Sequence, residues 1–266
     1  DEALAEYQAI YGADFGRAYF EQEYFCSFSG AMLGAIYGGE VNRAEREGRI
    51  REVPVDHRYP VHTAWDLGKS QNNPIWCFQV IPGEPGPRIV DFYRPESDDL
   101  EQWCLWLKER GYHGTDYVPH DAIATEWGTS RTRIETLRLL GRKPERIPMV
   151  SVQDGINAGN QTIRAAVFDG ERCELGIEGL RNYRREWDDE LKVFRSTPVK
   201  DWAEHIGSAW RYLALAWRAA KVPEEPKPDK SKLELVAQPD GTLRANMTLA
   251  EMIDDHIKRR KRARGD

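Results

Sequence analysis

Hydrophobic and polar positions alternate along the middle of the chain in a pattern that predicts three consecutive β-strands. Short apolar runs lie in the segments RYPVHTAWDLG, PIWCFQVIPG and RIVDFYRP, which proline or glycine bounds. Val61, Thr63 and Trp65 alternate within the first of them. Because only short polar turns such as EPGP separate the segments, we predict an antiparallel meander.

Helical and extended patterns alternate after this meander. The segment SDDLEQWCLWLKERGY predicts an amphipathic helix, with Ser97 as its N-cap and Gly111 as its stop. A fourth strand is predicted in TDYVPHDA, a helix in SRTRIETLRLLG and another strand in RIPMVSV. A helix follows in DGINAGNQTIRAAVF, and IEGLRNYRREWDDE is predicted to be helical and then to turn. An extended hairpin arm is predicted in LKVFRSTPVK and a long apolar helix in KDWAEHIGSAWRYLALAWRAA. This order favours an α/β fold in which a mixed sheet carries helices on its faces.

The same patterns divide the 266 residues into three parts. Residues 1–50 are predicted to form a helical connecting region, because aromatic side chains recur at three-to-four spacing. Residues 51–221 are predicted to form the α/β domain. Residues 222–266 are predicted to be a linker, KVPEEPKPDKSK, followed by a tail with the basic run KRRKRAR. No apolar run reaches about 18 residues, so no membrane span is expected.

Charge and cysteine content narrow the class of protein. The net charge of -6 and the sequence pI of about 5.7 count mildly against a nucleic-acid binder, although an acidic active site would lower the net charge without removing basic patches elsewhere. None of the four cysteines forms a CxxC pair, so a zinc knuckle is not expected. We predict reduced, mostly buried thiols in a cytosolic protein.

Three aspartates occupy positions where chemistry is expected. Asp66 ends the first strand, Asp121 follows the fourth, and Asp201 starts the last helix. Acids at strand ends project into the loops where the active sites of open sheets gather. Two Mg²⁺ or Mn²⁺ ions about 3.5–4 Å apart can activate a water and stabilise the leaving oxygen in phosphodiester cleavage. These hard ions prefer carboxylate oxygens, so a few aspartates that converge from different elements would suffice for such a site.

The stretches FEQEYFCSF, YPVHTAWDLG, VPHDA, DGINAGN and KDWAEHIGSAWRYLALA resemble the nuclease domain of tailed-phage terminase large subunits, over about residues 15–220. The resemblance implies a ribonuclease H-like mixed sheet of five or more strands with helices on both faces. It implies a metal-dependent endonuclease that cuts double-stranded DNA during genome packaging in the cytoplasm of the infected bacterium. It also implies that Asp66 and Asp121 are metal ligands.

The resemblance leaves the third metal contact open. Many relatives carry Asp-Trp-x-x-His-x-x-Asp on the last helix, and Ser208 stands here at the place of the second Asp. Asp201 and His205 are both present, and positions i and i+4 share a helix face. The hypothesis is therefore that Asp201 or His205 supplies the third contact.

Contacts to DNA and to other packaging proteins follow from the same resemblance. Lys69, Lys200, Arg131 and Arg133 are candidates for phosphate contacts, with ordinary surface charge as the alternative. The chain contains no GxxxxGK[ST] phosphate loop. It is therefore expected to be the part that follows the ATPase domain of a terminase, with that ATPase domain, the small terminase subunit and the portal protein as partners. The basic tail could contact DNA phosphates or a packaging protein.

Two other functions stay open at this stage. One is a junction-resolvase-type nuclease of the same fold, which a preference for branched DNA would indicate. The other is a catalytically weak module that binds DNA or docks on the portal, which the replacement of an acid by Ser208 favours.

Overall fold

The structure is a computed structural model that describes residues 2–11, 20, 34–67, 73–123, 131–188, 190–191, 193–220, 235–237, 243–245 and 248. The chain divides into two compact units, Asp1–Val222 and Pro223–Asp266. Among the residues that the structure describes, no helix has both the length and the apolar character needed to cross a membrane.

The first unit is built on one mixed sheet of seven strands. The strands of this sheet are β1 (Ile50–Arg51), β2 (His62–Trp65), β3 (Ile75–Gln79), β4 (Arg88–Tyr93), β5 (Asp116–Val118), β6 (Pro144–Arg146) and β7 (Val167–Asp169). Their order across the sheet is β1-β7-β4-β3-β2-β5-β6. The strands β2, β3 and β4 form the predicted antiparallel meander. Parallel strands extend it on both sides, because β5 pairs with β2 and β7 pairs with β4.

Helices cover both faces of the sheet, as the sequence predicted. The described helices are Glu2–Tyr11, Gly38–Arg46, Leu100–Glu109, Arg133–Leu139, Val152–Ala165, Glu174–Asn182 and Trp202–Ala216. We call the last of these the final helix. A two-stranded antiparallel hairpin, β8 (Arg185–Asp188) with β9 (Val193–Pro198), precedes it and confirms the predicted hairpin arm. In the second unit, Leu235–Ala237 pairs antiparallel with Leu243–Ala245.

Successive side chains of β3 point in turn into two hydrophobic cores, one on each face of the sheet. Trp76 faces one core, where its ring meets Trp210 of the final helix edge-on at 5.3 Å. The indole N–H of Trp76 also donates a 3.2 Å hydrogen bond to the carbonyl of Ile206. Ile75 faces the other core, which includes Leu107 of the helix Leu100–Glu109. Successive strand residues point to opposite sides, so one apolar strand supports a helix layer on each face.

Several local predictions need correction. Ser97 is not the N-cap of the following helix, since the side chain of Asp99 accepts the 2.9 Å hydrogen bond from the Glu101 N–H. The strand predicted in RIPMVSV lies earlier, at Pro144–Arg146, where it pairs in parallel with β5. The sequence patterns also did not indicate β1, β7 or β8.

The predicted burial of unpaired thiols is confirmed for the three described cysteines. Cys77, Cys104 and Cys173 are free and buried, and burial raises the pKa of the Cys104 thiol to about 12. Cys26 lies outside the described residues.

Candidate active site

Asp66 lies directly after β2, at the end of the strand. Its backbone N–H donates to the carbonyl of Pro74 at 3.1 Å, which continues the pairing with the chain before β3. The strands β2 and β5 run parallel, with Thr63 opposite Asp116. Their carboxyl ends therefore meet at one edge of the sheet. A 3-10 turn, His120–Ile123, follows β5 and contains Asp121, so the backbone of Asp121 lies at the same edge as Asp66.

The final helix brings His205 to this edge. Nδ1 of His205 lies 2.9 Å from Oδ2 of Asp66. The side chain of Asp66 is 12% exposed and that of His205 is 27% exposed, so both are mostly shielded from solvent but still accessible to it. Burial raises the pKa of Asp66, and the hydrogen bond and charge of His205 oppose that rise. The hydrogen bond to Asp66 raises the pKa of His205, against the effect of burial.

Asp201 lies at the start of the final helix and contacts other groups. Its Oδ1 accepts a hydrogen bond from the backbone N–H of Ala203 at 3.0 Å, which makes Asp201 the N-cap. Its Oδ2 accepts a 2.6 Å hydrogen bond from Arg184. Within the described part of the chain, no contact joins Asp201 to Asp66. Of the two candidates for the third contact, the structure brings His205 to Asp66 and gives Asp201 a capping position.

The sequence prediction missed a second carboxylate beside this pair. Oε2 of Glu204 lies 3.6 Å from Nδ1 of His205. The hydroxyl of Ser208 donates a 2.9 Å hydrogen bond to Oε1 of Glu204, and Arg211 donates a 2.7 Å hydrogen bond to the Ser208 oxygen. The spacing of 204, 208 and 211 places these three side chains on one helix face. The i, i+4 spacing from Glu204 to Ser208 was the available signal, but the sequence prediction applied this rule only to Asp201 and His205.

Three of the four candidate DNA-binding residues belong to the described part of the chain. Lys200 is exposed just before the final helix. Arg131 is exposed and Arg133 half-buried at the start of the helix Arg133–Leu139, which contacts the 3-10 turn that contains Asp121. Lys69 lies outside the described residues.

The donor groups at the sheet edge fit a hard divalent cation. Asp66 and Glu204 offer carboxylate oxygens, the ligands that Mg²⁺ and Mn²⁺ prefer. The structure describes no set of three or more His, Cys, Asp or Glu side chains that could hold a metal ion on its own. Nothing is described of the Asp121 side chain, so the described donor set consists of the two carboxylates with His205 beside them.

The fold is shared with large terminases of phages. The large terminase from the thermophilic bacteriophage D6E matches with a TM-score of 0.50 and 18% identity, over 83% of this chain and 53% of that chain. The P22 large terminase nuclease domain matches with a TM-score of 0.50 and 18% identity, over 66% of this chain and 91% of that domain. No family model matches the sequence, and no curated protein matches it.

These likenesses show the fold, which is that of a large-terminase nuclease domain. The predicted ribonuclease H-like α/β class is thereby confirmed. This chain spans about half the length of the D6E large terminase, 53%.

Proposed function

We propose that this chain is a metal-dependent endonuclease that cuts double-stranded DNA during phage genome packaging. One observation carries the proposal: a buried carboxylate at a strand end, Asp66, contacts His205 of the final helix at 2.9 Å. This contact occurs in a fold shared with the P22 large terminase nuclease domain. A desolvated carboxylate at the edge of an open sheet is a functional-site candidate on physical grounds.

Asp66 and Asp121 are the residues that we propose to hold two Mg²⁺ or Mn²⁺ ions. Such ions, when bound, supply an activated water and stabilise the leaving oxygen of a phosphodiester. His205 keeps the Asp66 carboxylate in place through its 2.9 Å contact. Of the two candidates on the final helix, we propose that His205 acts at the site by orienting Asp66, while both Asp201 oxygens accept hydrogen bonds from other groups.

Binding to DNA would rest on phosphate contacts, which carry no sequence information. Lys69, Lys200, Arg131 and Arg133 are proposed for these contacts, so little sequence preference is expected. The proposed partners are a terminase ATPase domain, the small terminase subunit and the portal protein. The proposed place of action is the cytoplasm of the infected bacterium. A connecting role for residues 1–50 and a linker and basic tail over 222–266 belong to the same proposal.

Cleavage of supercoiled plasmid tests this function. The purified chain is incubated with Mn²⁺, with Mg²⁺ or with EDTA, beside the variants Asp66→Asn and Glu101→Gln. We expect nicking and linearisation with metal and none with EDTA. For Asp66→Asn, we expect the cutting rate to fall by about 100-fold or more. Glu101 is exposed on the helix of the opposite sheet face, so Glu101→Gln should cut like the wild type.

Other outcomes point to other functions. DNA binding without cutting in either metal would replace the nuclease by a binding or portal-docking module. A strong preference for branched over linear DNA would indicate a junction-resolvase-type nuclease. Cutting that survives in EDTA, or in a folded Asp66→Asn variant, would refute the proposed chemistry.

A further inference from the structure

Two carboxylates flank one imidazole nitrogen at the edge of the sheet. Nδ1 of His205 lies 2.9 Å from Oδ2 of Asp66 and 3.6 Å from Oε2 of Glu204. Asp66 comes from the end of β2 and Glu204 from the first turn of the final helix. Two anionic groups from distant parts of the chain are thus held around one small volume, where their mutual repulsion favours a cation.

Among the described residues, one oxygen of each carboxylate has a hydrogen-bond partner and the other has none. Oδ2 of Asp66 contacts His205, and Oε1 of Glu204 accepts from Ser208. For the part of the chain that the structure describes, Oδ1 of Asp66 and Oε2 of Glu204 accept no hydrogen bond. The side chain of Glu204 keeps 27% of its exposure, so a hydrated ion can approach it.

Ser208 and Arg211 hold Glu204 in one orientation. Because Arg211 donates to the Ser208 oxygen at 2.7 Å, the Ser208 hydroxyl proton is left to point at Oε1 of Glu204. A glutamate side chain otherwise loses rotamer entropy when it is fixed by a ligand. Because Ser208 already orders the Glu204 side chain, part of this entropy is lost before a cation binds. Glu204 is therefore preorganised for binding, unlike an acid on a free surface.

We infer that Glu204 is the acid of the final helix that binds a divalent cation together with Asp66, and that Ser208 is its positioning residue. This inference rests on the proposed nuclease function and adds a residue to its site. It also gives position 208 a role, because the serine there carries a hydrogen bond to a carboxylate one turn earlier.

Titration of the full chain with Mn²⁺ alone, followed by calorimetry, tests the assignment. Glu204→Gln keeps the side-chain length and an oxygen for Ser208 but removes the charge. We expect its Mn²⁺ affinity to fall about 100-fold, at or beyond the effect of losing an outer-shell partner. The double variant Glu204→Gln/Ser208→Asp should regain most of the affinity, because position 208 places a carboxylate on the same helix face. Glu101→Gln should bind Mn²⁺ like the wild type.

Each result decides the inference, provided that thermal melting shows the variants to be folded. Unchanged Mn²⁺ affinity in Glu204→Gln overturns it. A double variant that binds as weakly as Glu204→Gln overturns the placement of position 208 in the site. Asp66→Asn separates this inference from the proposed function. If Asp66→Asn loses Mn²⁺ binding and plasmid cutting while Glu204→Gln keeps both, only Glu204 is misassigned. If Asp66→Asn keeps both, the proposed function itself fails.

Discussion

Asp201 and Arg184 form an ion pair at the start of the final helix, with Oδ2 of the carboxylate 2.6 Å from the guanidinium nitrogen. The other oxygen of Asp201 accepts from the Ala203 N–H, so the same side chain caps the helix. An anion at a helix N-terminus is stabilised by the helix dipole as well. These contacts account for an aspartate at this position without any part in metal binding.

Substitutions of Asp201 distinguish the capping role from metal binding. Asp201→Ala should lower the free energy of unfolding by about 0.5–2 kcal/mol, because a helix N-terminal N–H loses its acceptor. Asp201→Asn should lose less stability, because asparagine is an equally good cap. Urea unfolding and plasmid cutting measure the two effects. A folded Asp201→Asn variant that cannot cut DNA would show that the carboxylate contacts the metal after all.

His205 should act on cutting through the orientation of Asp66. We expect His205→Ala to cut plasmid about 10–100-fold more slowly, the range typical of partners that orient a metal ligand. His205→Asn should recover part of the rate, because its amide nitrogen falls near the place of Nδ1 and can donate to Asp66. The rates of both variants are compared at saturating Mn²⁺. Equal rates for the two variants would exclude an orienting hydrogen bond.

His62 should make stability depend on pH. The side chain is 3% exposed, and its Nδ1 accepts a 3.0 Å hydrogen bond from the Thr115 N–H. Burial lowers the pKa of His62 from 6.5 to about 4. The unfolded chain therefore binds a proton more readily than the folded one between these pH values. Stability should be unaffected by this group above about pH 6.5 and fall by up to about 1.4 kcal/mol per pH unit toward pH 4.

The matching variant is His62→Asn, whose side-chain oxygen can replace Nδ1 as acceptor but does not titrate. Urea unfolding as a function of pH should show a shallower acid slope for His62→Asn than for the wild type. His113→Asn, at an exposed position, should leave the slope unchanged. Identical slopes for His62→Asn and the wild type would remove His62 as the cause.

Gly207 allows the final helix to pack against Tyr183. A Cβ atom at position 207 would lie 2.6 Å from the Tyr183 ring, and Tyr183 is fully buried. We expect Gly207→Ala to destabilise the protein by about 1–3 kcal/mol through overpacking, although alanine is the better helix former. Gly39, where no atom lies within 4 Å of such a Cβ, is the control. Gly39→Ala should instead be neutral or raise stability by up to about 1 kcal/mol.

Local pattern was enough to predict the meander but not the whole sheet. The segments around Trp65 and Trp76 carry enough apolar residues in sequence to define a strand by themselves. The strand Val167–Asp169 has only three residues after a helix, and its extended form depends on pairing with Arg88 and Ile50, which are far away in sequence. Such a short strand has no periodicity from which it could be predicted.

The candidate site shows the same division between local and long-range information. Asp66 and Asp121 could be singled out because each follows a recognisable strand. The contact between Asp66 and His205 has no local signature, since it arises from the way the final helix packs on β2. The sequence prediction missed Glu204 because its place in the site depends on a spatial distance, the 3.6 Å between its carboxylate and Nδ1 of His205. Only its spacing of four residues from Ser208 could be seen in the sequence.

The order of residues along the chain has a consequence for synthesis. Asp66 and His205 are 139 positions apart. At roughly 5–20 residues per second, a ribosome takes on the order of 10 s to make the intervening chain. A nascent chain therefore exposes Asp66 well before the final helix that carries His205 and Glu204 exists. If the proposed function holds, the capacity to cut DNA appears only when translation of the domain is nearly finished, and chains that terminate early are harmless to DNA.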